Sequence, residues 1–485
     1  MFEFAGQRKH WTERHTTTNQ KVGCSNHSGR TTLDNLIESF MTAKRFDWIR
    51  IVILVVLSVC AYLPALRLPF ISDDFVQIPQ ARQYSAAGWQ PLWHDTTLRS
   101  RATYMVLSAT LDSWFGFNPV PFYVASILLH AMCVLLVYAL CAWPAIPSSV
   151  AFWTACFFAI YEGHQEAVMW VAAAGELLVF LFGMAAWICW VKWLRRPDAK
   201  WYAAALVAFL LGIASKESIW VFPFLMAVPL VWTRAPWRWG LLGIAPFFAI
   251  AGGYVAWIWW TRMAGGDNGD IRFSLQSPWL LVLLNSSWRL VSVWGVVAVG
   301  LLLWLRNRED RSRPSIKIMW IGVIWVVLGL LPNCFLTYMR QVPSRHTYLA
   351  SVGLALWMGT AAYRLTVENC RKMLATLVAV ALVCNVEIIW VKKMSQFRER
   401  AEPSELLLKI AAEASGLVFV DCTPFGDITA AAVLRDAGAE PVLRDRDQQR
   451  QQRDPGCFVV EYTNRAGEDI RVDRQLGTLK HGAFY

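Results

Sequence analysis

The sequence predicts an α-helical polytopic membrane protein, with about eleven transmembrane helices and a small C-terminal α/β domain on the extracytoplasmic side. Three observations predict it. Hydrophobic residues make up 56% of the 485 positions and charged residues only 17%, which overrides the length-based expectation of about three soluble domains. Apolar runs recur at lengths suited to a hydrocarbon core of about 30 Å. Lys and Arg, which give a formal net charge of +11, fall largely in short segments between those runs, so no nucleic-acid partner is expected.

In chain order, residues 1–46 are polar and lack an apolar core followed by a cleavage site. They read as a disordered cytoplasmic tail. The membrane part, 47–393, holds apolar runs at 47–65, 119–142, 149–161, 167–193, 200–215, 218–232, 239–260, 278–305, 317–333, 346–363 and 373–391. Lys44, Arg45 and Arg50 precede the first run. Further basic groups follow in the segments around Lys192–Lys200, Arg306–Lys317 and Arg364–Lys372. With an odd number of spans and the N-terminus inside, all of these become cytoplasmic, as the positive-inside rule requires. The expected location is the inner (plasma) membrane, with the C-terminus extracytoplasmic.

The outer side then receives 66–118, the turn at 161–167, Ser215-Lys-Glu-Ser218, 261–277, 334–345 and everything after 392. Segment 66–118 mixes Trp89, Trp93, Trp114 and Phe115 with Arg82, Arg99 and Arg101, a pattern of short amphipathic helices on a membrane face. Residues 394–485 form the C-terminal domain. A polar helical stretch to about residue 414 precedes strand Leu417–Asp421, helix Ile428–Ala437 ended by Gly438, and strands at Glu440–Leu443 and Phe458–Tyr462. Arg444–Arg453 reads as an exposed loop. Most of the 11 cysteines lie in apolar runs, where Cys acts as a small hydrophobe. Cys422 and Cys457 lie outside and are expected to pair, supporting a small core.

Four clusters of ionisable residues sit at the outer ends of runs, and two further ionisable residues lie within runs. Asp73 and Asp74 follow the first run; either Ser72 or Asp73 caps a surface helix, or one carboxylate is a general base and the other positions it or helps to hold a divalent metal. Glu162, His164 and Glu166 share one turn, with Glu166 opening a helix whose dipole favours a carboxylate. His164 is suited to a phosphate, a metal or a cap. Lys216-Glu217 is either a solubilising turn or a lipid-phosphate contact. Arg289 and Glu176 lie within apolar runs, where an ionisable group is by default a functional candidate. Arg345, His346 and Tyr348 stand at the mouth of a span, suited to a phosphate or to snorkelling beside an aromatic belt.

Together these residues resemble the C-type (GT-C) membrane glycosyltransferases that use polyprenyl-phosphate sugars, and within them the protein O-mannosyltransferase-like enzymes and their bacterial relatives. Asp73-Asp74 is similar to the acidic pair of the family's first external loop, and Glu166-Ala-Val-Met-Trp170 to its Glu-Ala-Val-x-Trp segment. Ser215-Lys-Glu217 ahead of Pro223 resembles its Lys-Glu turn, and Arg345-His-Thr-Tyr-Leu-Ala-Ser-Val-Gly353 its Arg-x-x-Tyr-Leu-Pro-Ser-x-Gly stretch. The likeness covers roughly residues 50–390. Tyr161-Glu162 replaces a common His-Pro, and Ala350 replaces a usual Pro. The resemblance implies transfer of a sugar from a polyprenyl-phosphate-linked donor to a hydroxyl of a protein, lipid or glycan acceptor. Asp73, Asp74 and Glu166 would be catalytic, and Lys216, Arg289, Arg345, His346 and Tyr348 would meet the donor phosphate. Glu162 and His164 would serve the acceptor or a metal. The competing classes are a lipid-linked sugar transporter or flippase, which should show paired broken helices in corresponding halves, and a non-catalytic membrane scaffold.

Overall fold

The computed structural model describes residues 47–95, 98–231, 237–264, 276–306, 315–335, 340–444 and 456–476. The expected tail 1–46, the basic residues Arg308, Arg311 and Arg313, and residues 445–453 of the expected C-terminal loop lie outside them. Of the chain up to Arg50, a single helical turn is described, in which Arg50 stands 3.8 Å from Asp47.

Helix length decides which apolar runs can cross a bilayer. Among the described residues six qualify: Asp47–Arg67, Pro119–Ala142, Val171–Arg195, Trp237–Trp260, Ile316–Asn333 and Arg371–Glu413. The run expected as one span over 278–305 is instead two helices, Trp279–Val291 and Trp294–Leu305, bent by 68°; counted together they make a seventh. The other expected spans are helices too, but short ones. Ser148–Ile160 has 13 residues, Ala199–Ile213 has 15 and Ser351–Val367 has 17. At 1.5 Å per residue these reach only about 20–26 Å, less than the hydrocarbon core. By length and composition, six helices, or seven with the bent pair taken as one, can cross a bilayer among the described residues of this multi-pass membrane protein, fewer than the eleven runs expected.

Helix ends follow local chemistry. Asn118 caps Pro119–Tyr138 by accepting from Val120 N at 3.1 Å, and Asp198 caps Ala199–Ile213 by accepting from Lys200 N at 3.0 Å. Interior prolines release carbonyls that must find other donors. Pro229 has no N–H for the Leu225 carbonyl; the buried Trp187 indole donates to it at 3.0 Å. Trp190 donates likewise to the Met226 carbonyl at 2.8 Å. These bonds fix Val171–Arg195 against the Pro-rich segment Glu217–Val231.

The central helix Ser351–Val367 packs through glycines. A Cβ on Gly353 would collide with the Gly322 carbonyl and Val326, and one on Gly359 with Thr154 of Ser148–Ile160. Backbones approach this closely only where side chains are absent.

The last apolar run does not end at 391. It continues as a single helix to Glu413, widened by a π-turn at Ile388–Lys393. Beyond it, β1 (Ala414–Cys422), β2 (Glu440–Leu443), β3 (Cys457–Asn464) and β4 (Asp469–Gln475) form one sheet in the order β2-β1-β3-β4. β1 and β2 are parallel across helix Asp427–Asp436, and the other pairs are antiparallel. Val418, Val420 and Cys422 alternate inward with Phe458, Val460 and Tyr462. β4 is an element the sequence reading missed. Its Ile470 and Val472 alternate between charged neighbours, so the apolar signal is thin.

The expected disulfide is absent: Cys422 and Cys457 are both thiols. Cys422 faces Val459, which makes Cys457 its diagonal neighbour two positions along β3. Diagonal Cα atoms lie about 7–8 Å apart, beyond the usual disulfide span.

Overpacking at a helix crossing costs about 1–3 kcal/mol. Gly353→Ala should therefore lower the unfolding temperature of detergent-purified protein, whereas Gly300→Ala, whose Cβ would meet nothing within 4 Å, should not. Equal melting of the two variants would remove the close-approach argument.

Candidate functional site

The first acidic pair is set by an unusual turn. Ser72 adopts a left-handed φ of 48°, a conformation disfavoured for a side chain with a Cβ. The turn drives Asp74 inward, where it is fully buried. Its Oδ2 accepts from Ile71 N at 2.9 Å and its Oδ1 from Ala172 N at 2.7 Å. Burial pushes the Asp74 carboxyl up to about 8, against two N–H groups that favour its charged form. Asp74 thus ties the start of segment 66–118 to the turn after Trp170. Asp73 stands at the first position outside helix Asp74–Ala86 and is half-buried, but its side chain does not cap the helix. Ser72 N also donates to Ser404 Oγ at 3.4 Å, which sets the pair beside the long C-terminal helix.

Glu166 lies on that helix's other contact. The short helical turn Gln165–Met169 buries it, and Arg400 Nη2 donates to its Oε1 at 3.1 Å. Arg345 N donates to Oε2 at 3.1 Å, while the Arg345 guanidinium stands 3.8 Å from the same oxygen and 5.1 Å over the Trp170 ring. Burial raises the Glu166 carboxyl, but Arg400 and then Arg345 outweigh it and hold it at about 2. Arg400 and Ser404 are one helical turn apart, so Asp73-Asp74 and Glu166 meet the same helix face.

A second buried carboxylate adjoins the first. Lys216 Nζ donates to Glu176 Oε1 at 2.6 Å, and His346 Nδ1 meets the same oxygen. Consecutive residues therefore serve both carboxylates: the Arg345 backbone holds Glu166 and the His346 ring holds Glu176. Segment 66–118 closes on the Lys216 turn. Ser100 donates to Glu217 at 3.0 Å, Thr103 Oγ1 to Ser215 Oγ at 2.7 Å, and Thr103 N to the Ala214 carbonyl at 2.9 Å.

Among the described residues several buried atoms here make no hydrogen bond: Nε of Arg101, Nε of Arg400, the indole nitrogen of Trp170, and Nη1 of Arg345, whose contact with Glu166 is an ion pair at 3.8 Å. Arg101 and Arg345 both act electrostatically on Lys216. Four cations, Arg101, Lys216, Arg345 and Arg400, thus gather about two carboxylates, Glu166 and Glu176. Buried N–H groups without acceptors are costly, and their acceptors here would be ordered water or an anion.

The remaining predicted residues divide. Glu162 is at this site: its backbone N donates to Asn385 Oδ1 at 3.0 Å and its carboxylate is 3.8 Å from Lys393. Arg289 is in electrostatic reach of Glu166 and Glu162. His164 and Tyr348 are elsewhere, inside the aromatic core. His164 Nε2 is 2.7 Å from Ser351 Oγ, the Tyr348 hydroxyl is 2.7 Å from His130 Nδ1, and the His164 and Tyr348 rings are 4.4 Å apart. Their expected place at the outer mouth is corrected, because the turn at Glu162–His164 folds the imidazole inward among Phe158 and Tyr161.

Among the described residues no three His, Cys, Asp or Glu side chains converge as metal ligands. Arg400, Lys393 and Asn385 are site residues the sequence reading missed. They lie on one helix whose outer half reads as a polar appendage, and nothing in its charged run singles out Arg400.

No protein-family model matches this chain, and no curated protein does. Among solved structures the chain is similar to the oligosaccharyltransferase of Archaeoglobus fulgidus, solved tethered through a disulfide bond to an acceptor peptide containing the NVT sequon. The TM-score is 0.45 and the identity 9%, over 75% of this chain and 57% of that one. This chain therefore spans little more than half of that protein's length.

The depressed Glu166 acidity has a pH signature. A carboxyl near 2 in the folded state, against about 4.3 unfolded, contributes stability that is present above the unfolded value and lost as pH falls through the folded one. Glu166→Gln should melt well below the wild type at pH 6, and the gap should narrow between about pH 4 and 2. Thermal unfolding across that range checks it; a gap independent of pH would contradict the ion-pair account.

Proposed function

We propose that this chain is a membrane glycosyltransferase that moves a sugar from a polyprenyl-phosphate donor to an acceptor hydroxyl at the extracytoplasmic face. The observation that carries the reading is the set of buried N–H groups of Arg101, Arg345 and Arg400 that make no hydrogen bond, beside Lys216. A phosphate supplies the acceptors that these donors lack, and Arg forks suit its geometry. The motifs that resemble the polyprenyl-phosphate-dependent enzymes converge on the same residues.

In this reading the acceptor oxygen attacks the anomeric carbon as the bond from that carbon to the phosphate oxygen breaks. The departing oxygen keeps the bonding electrons, and the Arg345, Arg400 and Lys216 cations stabilise its growing charge. The acceptor proton goes to a carboxylate. Glu166 is held ionised by two guanidiniums and is a poor proton acceptor, and both Asp74 oxygens are occupied by backbone N–H groups. We assign the base to the Asp73/Asp74 pair, favouring half-buried Asp73 because it matches the first acidic residue of the resembled motif, with Asp74 positioning it and Glu166 orienting the arginines. A single displacement inverts the anomeric centre.

Purified protein with radiolabelled polyprenyl-phosphate sugars and cell-envelope acceptors tests this directly. Asp73→Asn should lower transfer by about 10²–10⁴-fold while donor binding persists. Arg345→Ala and Arg400→Ala should weaken donor binding itself. Full activity in the Asp73 variant would sink the base assignment. Unchanged donor affinity in both arginine variants would sink the phosphate site.

We also propose that the chain divides into a cytoplasmic tail 1–46, a membrane part 47–393 and an extracytoplasmic part 394–485. The segregation of basic residues supports this. Alkaline phosphatase fused after Tyr485 should be active; activity only from a cytoplasmic reporter would reverse the orientation.

A further inference from the structure

A cavity of about 760 Å³ opens on the face of the long C-terminal helix opposite Arg400, between that helix and the end of the first span. Its wall changes character along one direction. The floor is apolar and outward-facing: Leu63, Val391 and the ring of Trp390, which is pinned by its indole N–H to the Ala61 carbonyl at 3.0 Å. Next outward stand two cations, Arg67 and Arg398. Last come Glu402 and Glu405, which share the Arg398 face of the helix at spacings of four and seven residues. Glu399 is also on the wall, its Oε1 accepting from Ser395 Oγ at 3.1 Å.

This order of apolar floor, cations and carboxylates runs along a helix that is leaving the bilayer. It is the order of chemical groups in an aminophospholipid: acyl chain, phosphate, then ammonium. The step from Arg398 to Glu402 rises about 6 Å along the axis, enough to separate a phosphate contact from an ammonium contact. An anionic headgroup would meet the carboxylates unfavourably. A choline headgroup has no N–H to donate to them.

We infer that this groove binds one membrane phospholipid with a primary-ammonium headgroup, of the phosphatidylethanolamine class. Its phosphate sits on Arg67 and Arg398, its ammonium on Glu402 and Glu405, and an acyl chain lies along Leu63 and Trp390. The site is distinct from the Glu166 cluster and does not depend on the transfer reading.

The test uses the full chain in phosphatidylcholine nanodiscs, with bound lipid counted by native mass spectrometry. Titrated phosphatidylethanolamine should be retained over phosphatidylcholine and phosphatidylglycerol. Retention should fall in steps through the N-methyl and N,N-dimethyl headgroups, a series that needs no variant. Glu402→Gln with Glu405→Gln, both on the exposed helix surface, should weaken retention about tenfold, the loss expected for charge-assisted hydrogen bonds. Arg67→Gln with Arg398→Gln should weaken all phospholipids alike. Equal retention of ethanolamine and choline lipids by the wild type would overturn the inference. So would an unchanged preference in the double-Gln carboxylate variant, or a bound protein segment that excludes lipid from the cavity.

Discussion

The molecule depends on one buried charge arrangement, the Glu166 carboxylate between Arg345 and Arg400. A carboxylate taken out of water is tolerated only when paired and hydrogen-bonded, and removing one partner of such a pair costs about 3–5 kcal/mol. Here the partners come from opposite parts of the chain. Arg345 precedes the glycine-packed central helix, and Arg400 lies on the helix that ends in the C-terminal sheet. The ion pair thus fixes the distance between the membrane core and the segment that carries the sheet. His346, the next residue, extends the same constraint to Glu176 and Lys216.

Strain and burial at the first acidic pair fit that frame. The left-handed Ser72 is held by three things: Asp74's two backbone bonds, the Ser72 N–H bond to Ser404, and the packing of helix Asp74–Ala86. Such a residue persists only where its surroundings over-determine it. Two neighbouring aspartates with the same chemistry in solution thereby meet unlike surroundings, Asp74 buried against two backbone N–H groups and Asp73 half-buried.

Much of the helix layout was legible because run length and composition act locally. Each expected span is helical, although 278–305 is two helices and 218–232 a chain of short turns, and Glu440–Leu443 is a strand at the expected bounds. The 68° bend within 278–305 was not legible, since the composition is apolar on both sides of Ser292-Val293. The outer clusters were legible as charge next to a span end, which picked out Glu166, Lys216, Arg345 and Glu162. The same signal misplaced His164 and Tyr348, because a sequence does not say whether a polar ring at a span end turns outward or into the core. Arg400 was invisible for a different reason. Its partner is 234 positions away, and only the tertiary fold brings them together.

The π-turn at Ile388–Lys393 gives the long helix a further property. A helix must keep one angular register, yet Asn385 before the turn meets Glu162, Trp390 within it meets the first span, and Arg400 and Ser404 beyond it meet Glu166 and Ser72. One wide turn inserts an angular offset between the two halves, so each keeps its own orientation without a break in the rod. The helix acts as a shaft with a keyed coupling. The wide turn sets Arg400 and Ser404 on the face that meets Glu166 and Ser72, while Trp390 holds the turn itself to the first span.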